Sequence, residues 1–147
     1  MTKKQIINQL PYSAPFLFVD ELLEISENGS SGCYTFKKDE FFYKGHFKNN
    51  PVTPGVILTE VMAQIGVVCL GFFLTKSENV TKEPASIALT SSEINFYLPV
   101  YPEETVTVVS EKVYYRFNKL KCNVRLLNQK KEVVCKGVIS GMLAHGK

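Results

Sequence analysis

Apolar positions along the chain recur at two periods, and the places where the period changes divide it into elements. Lys3 to Leu10 carries Ile6, Ile7 and Leu10 at helical spacing, and Pro11, which has no amide proton, ends that short helix. Pro15-Phe-Leu-Phe-Val-Asp20 leads into a first strand over Glu21 to Glu27. Asn28-Gly29-Ser30-Ser31-Gly32 has the composition of a turn, and a second strand is predicted over Gly32 to Lys38, with Tyr34 and Phe36 on one face. No period survives from Asp39 to Thr53, where Gly45, Asn49, Asn50 and Pro51 mark a long structured loop. Thr53 then offers an N-cap and Pro54 a first helical residue, opening one helix from Gly55 to about Thr75. That helix is apolar nearly all round, so burial is expected nearly all round. Beyond a polar link from Lys76 to Pro84, strands are predicted over Ser86 to Leu98, Glu104 to Phe117, Leu120 to Leu127 and Glu132 to Leu143. Cys122, Val124 and Leu126 alternate with Lys121, Asn123 and Arg125, the period of a half-buried strand. Asn118-Lys119 and Asn128-Gln129-Lys130 fit hairpin turns, and Pro99 and Pro102 flank a break between strands.

One long apolar helix among strands needs cover on most of its sides. The pattern therefore predicts an α+β fold of the hot-dog type, a curved antiparallel sheet wrapped around one long central helix, with one flank left for a second copy of the chain. A length of 147 residues suits a single domain, 1–147, that buries roughly two thirds of the surface its unfolded form exposes. Val56 to Leu74 approaches the length of a membrane span. It contains Glu60 and Gln64 one turn apart, a costly pair in lipid but a useful one inside a protein, so a core helix is expected and no membrane.

Composition narrows the partners. The start of the chain lacks an apolar run with a cleavage site, so no secretory signal is expected. Cys33, Cys69, Cys122 and Cys135 are scattered without metal-ligand spacing and read as free thiols of a cytoplasmic protein. The net charge of +3 is mild and spread along the chain, with no aromatic-interleaved basic stripe for nucleic acid. A modest positive field of this kind favours an acidic protein partner.

The chemistry is concentrated in Gly45-His-Phe-Lys-Asn-Asn-Pro-Val-Thr-Pro-Gly-Val-Ile-Leu-Thr-Glu60-Val-Met-Ala-Gln64. Singly, these residues have structural explanations: a loop histidine, a helical glutamate, a Pro-Gly helix start. Together they supply a base that titrates near neutrality, a carboxyl in apolar surroundings, and amide donors at a helix N-terminus. Such a set suits removal of water from a 3-hydroxyacyl thioester. His46 takes the weakly acidic C2 proton while the Gly55 amide, unobstructed by a side chain, stabilises charge on the carbonyl. Glu60, flanked by Leu58, Val61 and Met62, should have its pKa raised by desolvation and protonate the departing C3 hydroxyl. Gln64 either holds that carboxyl or meets solvent or a backbone group.

With these residues the sequence resembles the 3-hydroxyacyl-acyl-carrier-protein dehydratases of type II fatty acid synthesis, the FabZ-like hot-dog thioester dehydratases. The resemblance runs from Leu10-Pro-Tyr-Ser-Ala-Pro-Phe-Leu-Phe-Val-Asp20, through Gly45-His-Phe and Ala63-Gln64, to Phe96-Tyr-Leu-Pro-Val-Tyr-Pro102. It implies that His46 and Glu60 are the catalytic pair and that glutamate rather than aspartate marks a simple dehydratase. It also implies that the Val52 carbonyl orients the His46 ring, that Gly55 binds the thioester carbonyl, and that Val56, Phe47 and Gln64 complete the substrate contacts. No cofactor or metal is implied. Substrate would arrive on acyl carrier protein, or as a CoA thioester, at a homodimer or trimer of dimers whose protomers share each site, one giving the histidine and the other the acid. The chain departs from the family at Tyr12, where histidine is common, at Thr53, where methionine is common, and at Lys48-Asn49-Asn50. Asn95-Phe96-Tyr97-Leu98 replaces a stretch that often carries basic residues, and Glu103-Glu104 follows.

Phe41, Phe42, Tyr43, Phe47, Phe72 and Phe73 are candidates both for plain core and for the lining of an acyl tunnel. His145, in the C-terminal tail, is not expected to be catalytic. Two other functions fit the same fold class. A thioesterase would use a carboxylate to activate water and would leave His46 unexplained; a non-catalytic acyl-binding subunit would bind thioester without turnover.

Overall fold

The computed structural model describes residues 1–77 and 85–145. The first helix, α1 (Lys3–Gln9), opens with a capping box in which Thr2 and Gln5 satisfy each other's amides. Six strands follow: β1 (Glu21–Ser26), β2 (Gly29–Thr35), β3 (Ala85–Phe96), β4 (Thr105–Arg116), β5 (Lys119–Leu127) and β6 (Val133–His145). Between β2 and β3 lie a 3-10 turn (Phe41–Lys44) and the long helix, made of α2 (Gly55–Ala63), a π-helical segment (Gln64–Val68) and α3 (Cys69–Ser77). Residues 78–84 of the expected polar link fall outside the described residues.

All pairings are antiparallel, in the order β1-β2-β4-β5-β6-β3. Only β4, β5 and β6 form a meander; β3 lies at the far edge, beside β6. The expectation of a curved sheet wrapped around the helix is corrected here. The sheet is an open layer ending in two edges, β1 and β3, and it covers one side of the helix. The sheet face toward the helix is lined by Val106 and Val108 of β4 and by Leu120, Cys122, Val124 and Leu126 of β5. Cover on the other side comes from the N-terminal part of the chain: α1 packs on α3, and the stretch after it buries Leu10, Phe18 and Val19. The cover demanded by so apolar a helix is thus met by an N-terminal flap instead of by curvature.

Four local expectations also shift. Gly29 to Gly32 is strand, not turn, because these residues pair with β1 on one side and β4 on the other, and the turn contracts to Glu27-Asn28. The β4–β5 turn falls on Phe117-Asn118, both at positive φ, one residue earlier than expected. Pro54, not Thr53, is the N-cap of α2, and Gly55 is its first residue. His145 ends β6 opposite Ala85 and is strand rather than tail.

Candidate active site

His46 lies two residues past the 3-10 turn, on a loop folded back on itself. Its amide bonds to the Phe42 carbonyl, its carbonyl accepts from the Val52 amide, and Phe47 and Asn50 exchange backbone bonds at the tip. The His46–Phe47 peptide is cis, and the two rings stack with centroids 4.0 Å apart. His46 Nδ1 lies 2.8 Å from the Val52 carbonyl oxygen. A carbonyl only accepts, so Nδ1 carries a proton, and in the neutral ring it is Nε2 that keeps a lone pair, the form a base requires.

Nine residues further, α2 begins with no side chain capping it, since Pro54 is its N-cap and the Thr53 hydroxyl is turned away to Tyr43. The amides of its first turn carry the positive end of the helix dipole, and a glycine there lets a ligand approach the backbone. A β-carbon at Gly55 would sit 3.2 Å from the Phe96 ring of β3, so that ring walls the approach. Val56, beside it, is 77% exposed.

Glu60 is half-buried one turn into the same helix. Desolvation pushes its pKa above the usual carboxylate range, opposed in part by a hydrogen bond from Gln64 Nε2 to Oε2 at 2.9 Å. Both alternatives for Gln64 hold at once. It is fully buried, donates to Glu60 and to the Phe16 carbonyl, and accepts from the Phe18 amide at 2.8 Å. The N-terminal flap thus fixes the amide that fixes the carboxyl. His46 and Glu60 share no hydrogen bond with each other among the described residues, although each stands in its own hydrogen-bonded frame.

Several contributors went unassigned at the sequence level. Tyr12 stands in the field of Glu60; burial first, and that negative charge second, push its phenol up to about 12. Ser30 of β2 and Ser110 of β4 donate to the carbonyls of Ile65 and Gly66 at 2.9 and 2.7 Å, within the π segment. A serine in register with Val106 and Val108 was the readable signal, since a polar residue on a core-facing row implies a buried partner. Of the aromatic candidates, Phe42 and Tyr43 join an edge-on cluster with Phe18, Tyr34 and Phe36, and Phe72 is core, whereas Phe41 and Phe47 are about half exposed. Among the described residues, no three His, Cys, Asp or Glu side chains are grouped to hold a metal ion.

The apolar helix from Gly55 to Lys76 is long enough to cross a membrane, but 78% of its most apolar window is buried inside the protein.

The sequence profile of the FabA-like domain matches residues 10–137. Over 135 residues the chain is 33% identical to the 3-hydroxyacyl-[acyl-carrier-protein] dehydratase FabZ of Caldicellulosiruptor saccharolyticus, covering 90% of this chain and 91% of that protein. It is 30% identical over 132 residues to the enzyme of the same name from Thermus thermophilus, with 90% of each covered. In three dimensions it resembles a chain of the dehydratase heterocomplex ApeI:P from Xenorhabdus doucetiae, with a TM-score of 0.78 over 100% of this chain and 93% of that one. At 12% identity that likeness speaks for the fold alone.

Proposed function

This chain belongs to the FabA-like domain family, among the FabZ-like thioester dehydratases, and from that membership we propose that it dehydrates 3-hydroxyacyl thioesters to trans-2-enoyl thioesters. The observation that carries the reading is the helix beginning at Gly55, with an uncapped N-terminus at one end of the site and a desolvated carboxyl, Glu60, one turn inside it. In the proposed reaction Nε2 of His46 removes a C2 proton, and the negative charge passes to the thioester oxygen, held by the Gly55 amide. The double bond forms between C2 and C3 as the C3–oxygen bond breaks, and Glu60 gives its proton to the departing hydroxyl, which leaves as water. His46 then returns a proton to solvent and Glu60 regains one. Val52 sets the histidine tautomer and Gln64 the carboxyl, while Val56 and Phe47 flank the bound acyl thioester.

Acyl carrier protein is the proposed bearer of the substrate, with CoA thioesters as a second form, in the cytoplasm. The working unit is a homodimer, or a trimer of dimers, with His46 and Glu60 of each site coming from different protomers. Two features support a second copy: His46 and Glu60 do not bond within one chain, and the unpaired edge strand β3 exposes Leu89 and Phe96. A panel of 3-hydroxyacyl thioesters on carrier protein and on CoA, followed for enoyl absorbance and for free thiol, tests the proposal. Enoyl product without thiol is expected. Thiol release would make the chain a thioesterase, and binding without either product a non-catalytic acyl-binding subunit.

A further inference from the structure

The loop that carries His46 is tied at its base by one buried side-chain hydrogen bond. Tyr43, in the 3-10 turn, and Thr53, just ahead of α2, bring their hydroxyls to 2.6 Å, and both residues are buried. The chain between them runs over the surface, with Lys44, Gly45 and residues 47–51 exposed. Burial pushes the Tyr43 phenol up to about 12, so both partners remain neutral hydroxyls at physiological pH. From this bond an ordered path leads to the imidazole. The Thr53 amide donates to the Val100 carbonyl at 2.8 Å, which anchors the returning strand of the loop to the body of the protein. Val52, the residue before Thr53, gives its amide to the His46 carbonyl and its carbonyl to His46 Nδ1, both at 2.8 Å. The peptide plane between Val52 and Thr53 is therefore set from one side by the threonine and read from the other by the histidine.

We propose that the Tyr43–Thr53 hydrogen bond is a positioning clamp for His46, holding the Val52 carbonyl on Nδ1 so that Nε2 stays unprotonated and fixed in direction. Tyr43 and Thr53 act through Val52 and are positioning residues rather than catalytic ones. The inference rests on His46 being the base, as proposed above. An exposed loop left to itself opens readily, whereas a satisfied buried pair at its neck removes that freedom. The placement matters because a displacement of about 1 Å in a reacting group costs on the order of a hundredfold in rate.

The test compares Thr53→Val and Tyr43→Phe, each of which keeps the shape of its residue and removes one hydroxyl, with Thr53→Ser, which keeps the bond. Steady-state kinetics on a 3-hydroxyacyl thioester is paired with nitrogen-15 spectra of the imidazoles, which are simple to assign in a chain with 2 histidines. Both hydroxyl deletions are expected to lower kcat by about tenfold or more with KM within about twofold, the pattern of a lost transition-state contribution. The His46 signals should pass from one Nδ1-protonated form to a mixture, and Thr53→Ser should behave as the parent. Tyr43→Phe carries the test alone if Thr53→Val does not fold. A folded hydroxyl deletion with parental kcat and a single tautomer, or one that loses thermal stability and nothing else, overturns the clamp. If the parent shows no dehydration, the functional reading fails, while the imidazole spectra still decide whether the clamp sets the tautomer.

Discussion

At the residue scale, the site depends on what burial does to single groups. Glu60 is expected to hold its proton more tightly in the folded chain than in the unfolded one, because desolvation raises its pKa above the ordinary value of 4.5. The stability it contributes is therefore fully present below about pH 4.5 and is lost as pH rises through the raised folded value. Glu60→Gln, which cannot ionise, should melt like the parent in acid and at higher temperature near neutrality, while dehydration falls by at least about 100-fold. Thermal melts across that pH range check the sign; a gain independent of pH would mean that the carboxyl is not shifted. His46→Ala should lose at least about 100-fold in rate with the fold intact, since a half-buried loop residue contributes little packing. Gly55→Val pushes against the end of the Phe96 ring, which is itself about half exposed and able to move, so folding should survive. The blocked amide should cost about 3 kcal/mol of transition-state stabilisation, and near-parental turnover in the folded variant would remove Gly55 from the site.

At the scale of elements, the π segment inside the central helix has an identifiable support. Widening the helix at Gln64–Val68 disturbs its regular hydrogen-bond ladder, and the carbonyls of Ile65 and Gly66 are met by Ser30 and Ser110 from two neighbouring strands. Gly66 is required by contact rather than by φ: a β-carbon there would lie 3.0 Å from both Ser110 Cβ and Val124 Cγ1. Ser110→Ala leaves a buried carbonyl without its side-chain donor and should cost about 1–3 kcal/mol in urea unfolding. Gln64 is the first residue of the π segment and the holder of Glu60, so the same variant should also lower kcat. A Ser110→Ala protein with parental stability would show that the π segment needs no support from the sheet.

At the scale of the whole molecule, an open sheet leaves β3 with an unpaired edge and a half-exposed apolar row, a surface that another copy of the same strand can pair with and cover. A dimer that shares its sites has a consequence no single chain can have. Mixing inactive His46→Ala and Glu60→Gln subunits should restore about a quarter of parental activity, since random exchange makes half the dimers mixed and each mixed dimer holds one intact site of two. Verified exchange with no recovery would assign both groups of each site to one protomer.

Period and residue type by themselves determined the helices, the six strands to within a few residues, and the stretch to which the proposed chemistry is assigned. They could do so because helix and strand periods are local properties, and because a histidine, a glycine at a helix start and a glutamate in an apolar helix, ordinary singly, are chemically complementary when they fall within one short stretch. The turn at Gly29–Gly32 was misread for the opposite reason: glycine and serine look like turn residues until β1 and β4 pair on either side of them. Thr53 likewise had the composition of a cap, and only the arrival of Tyr43, ten residues away, decided where its hydroxyl goes. The open sheet, the N-terminal flap over the helix, the grip of Phe16 and Phe18 on Gln64, and the serines beneath the π segment all join residues far apart in the chain. Such contacts are settled by which surfaces meet when the core forms, and a one-dimensional pattern carries the need for a partner but not the partner's identity.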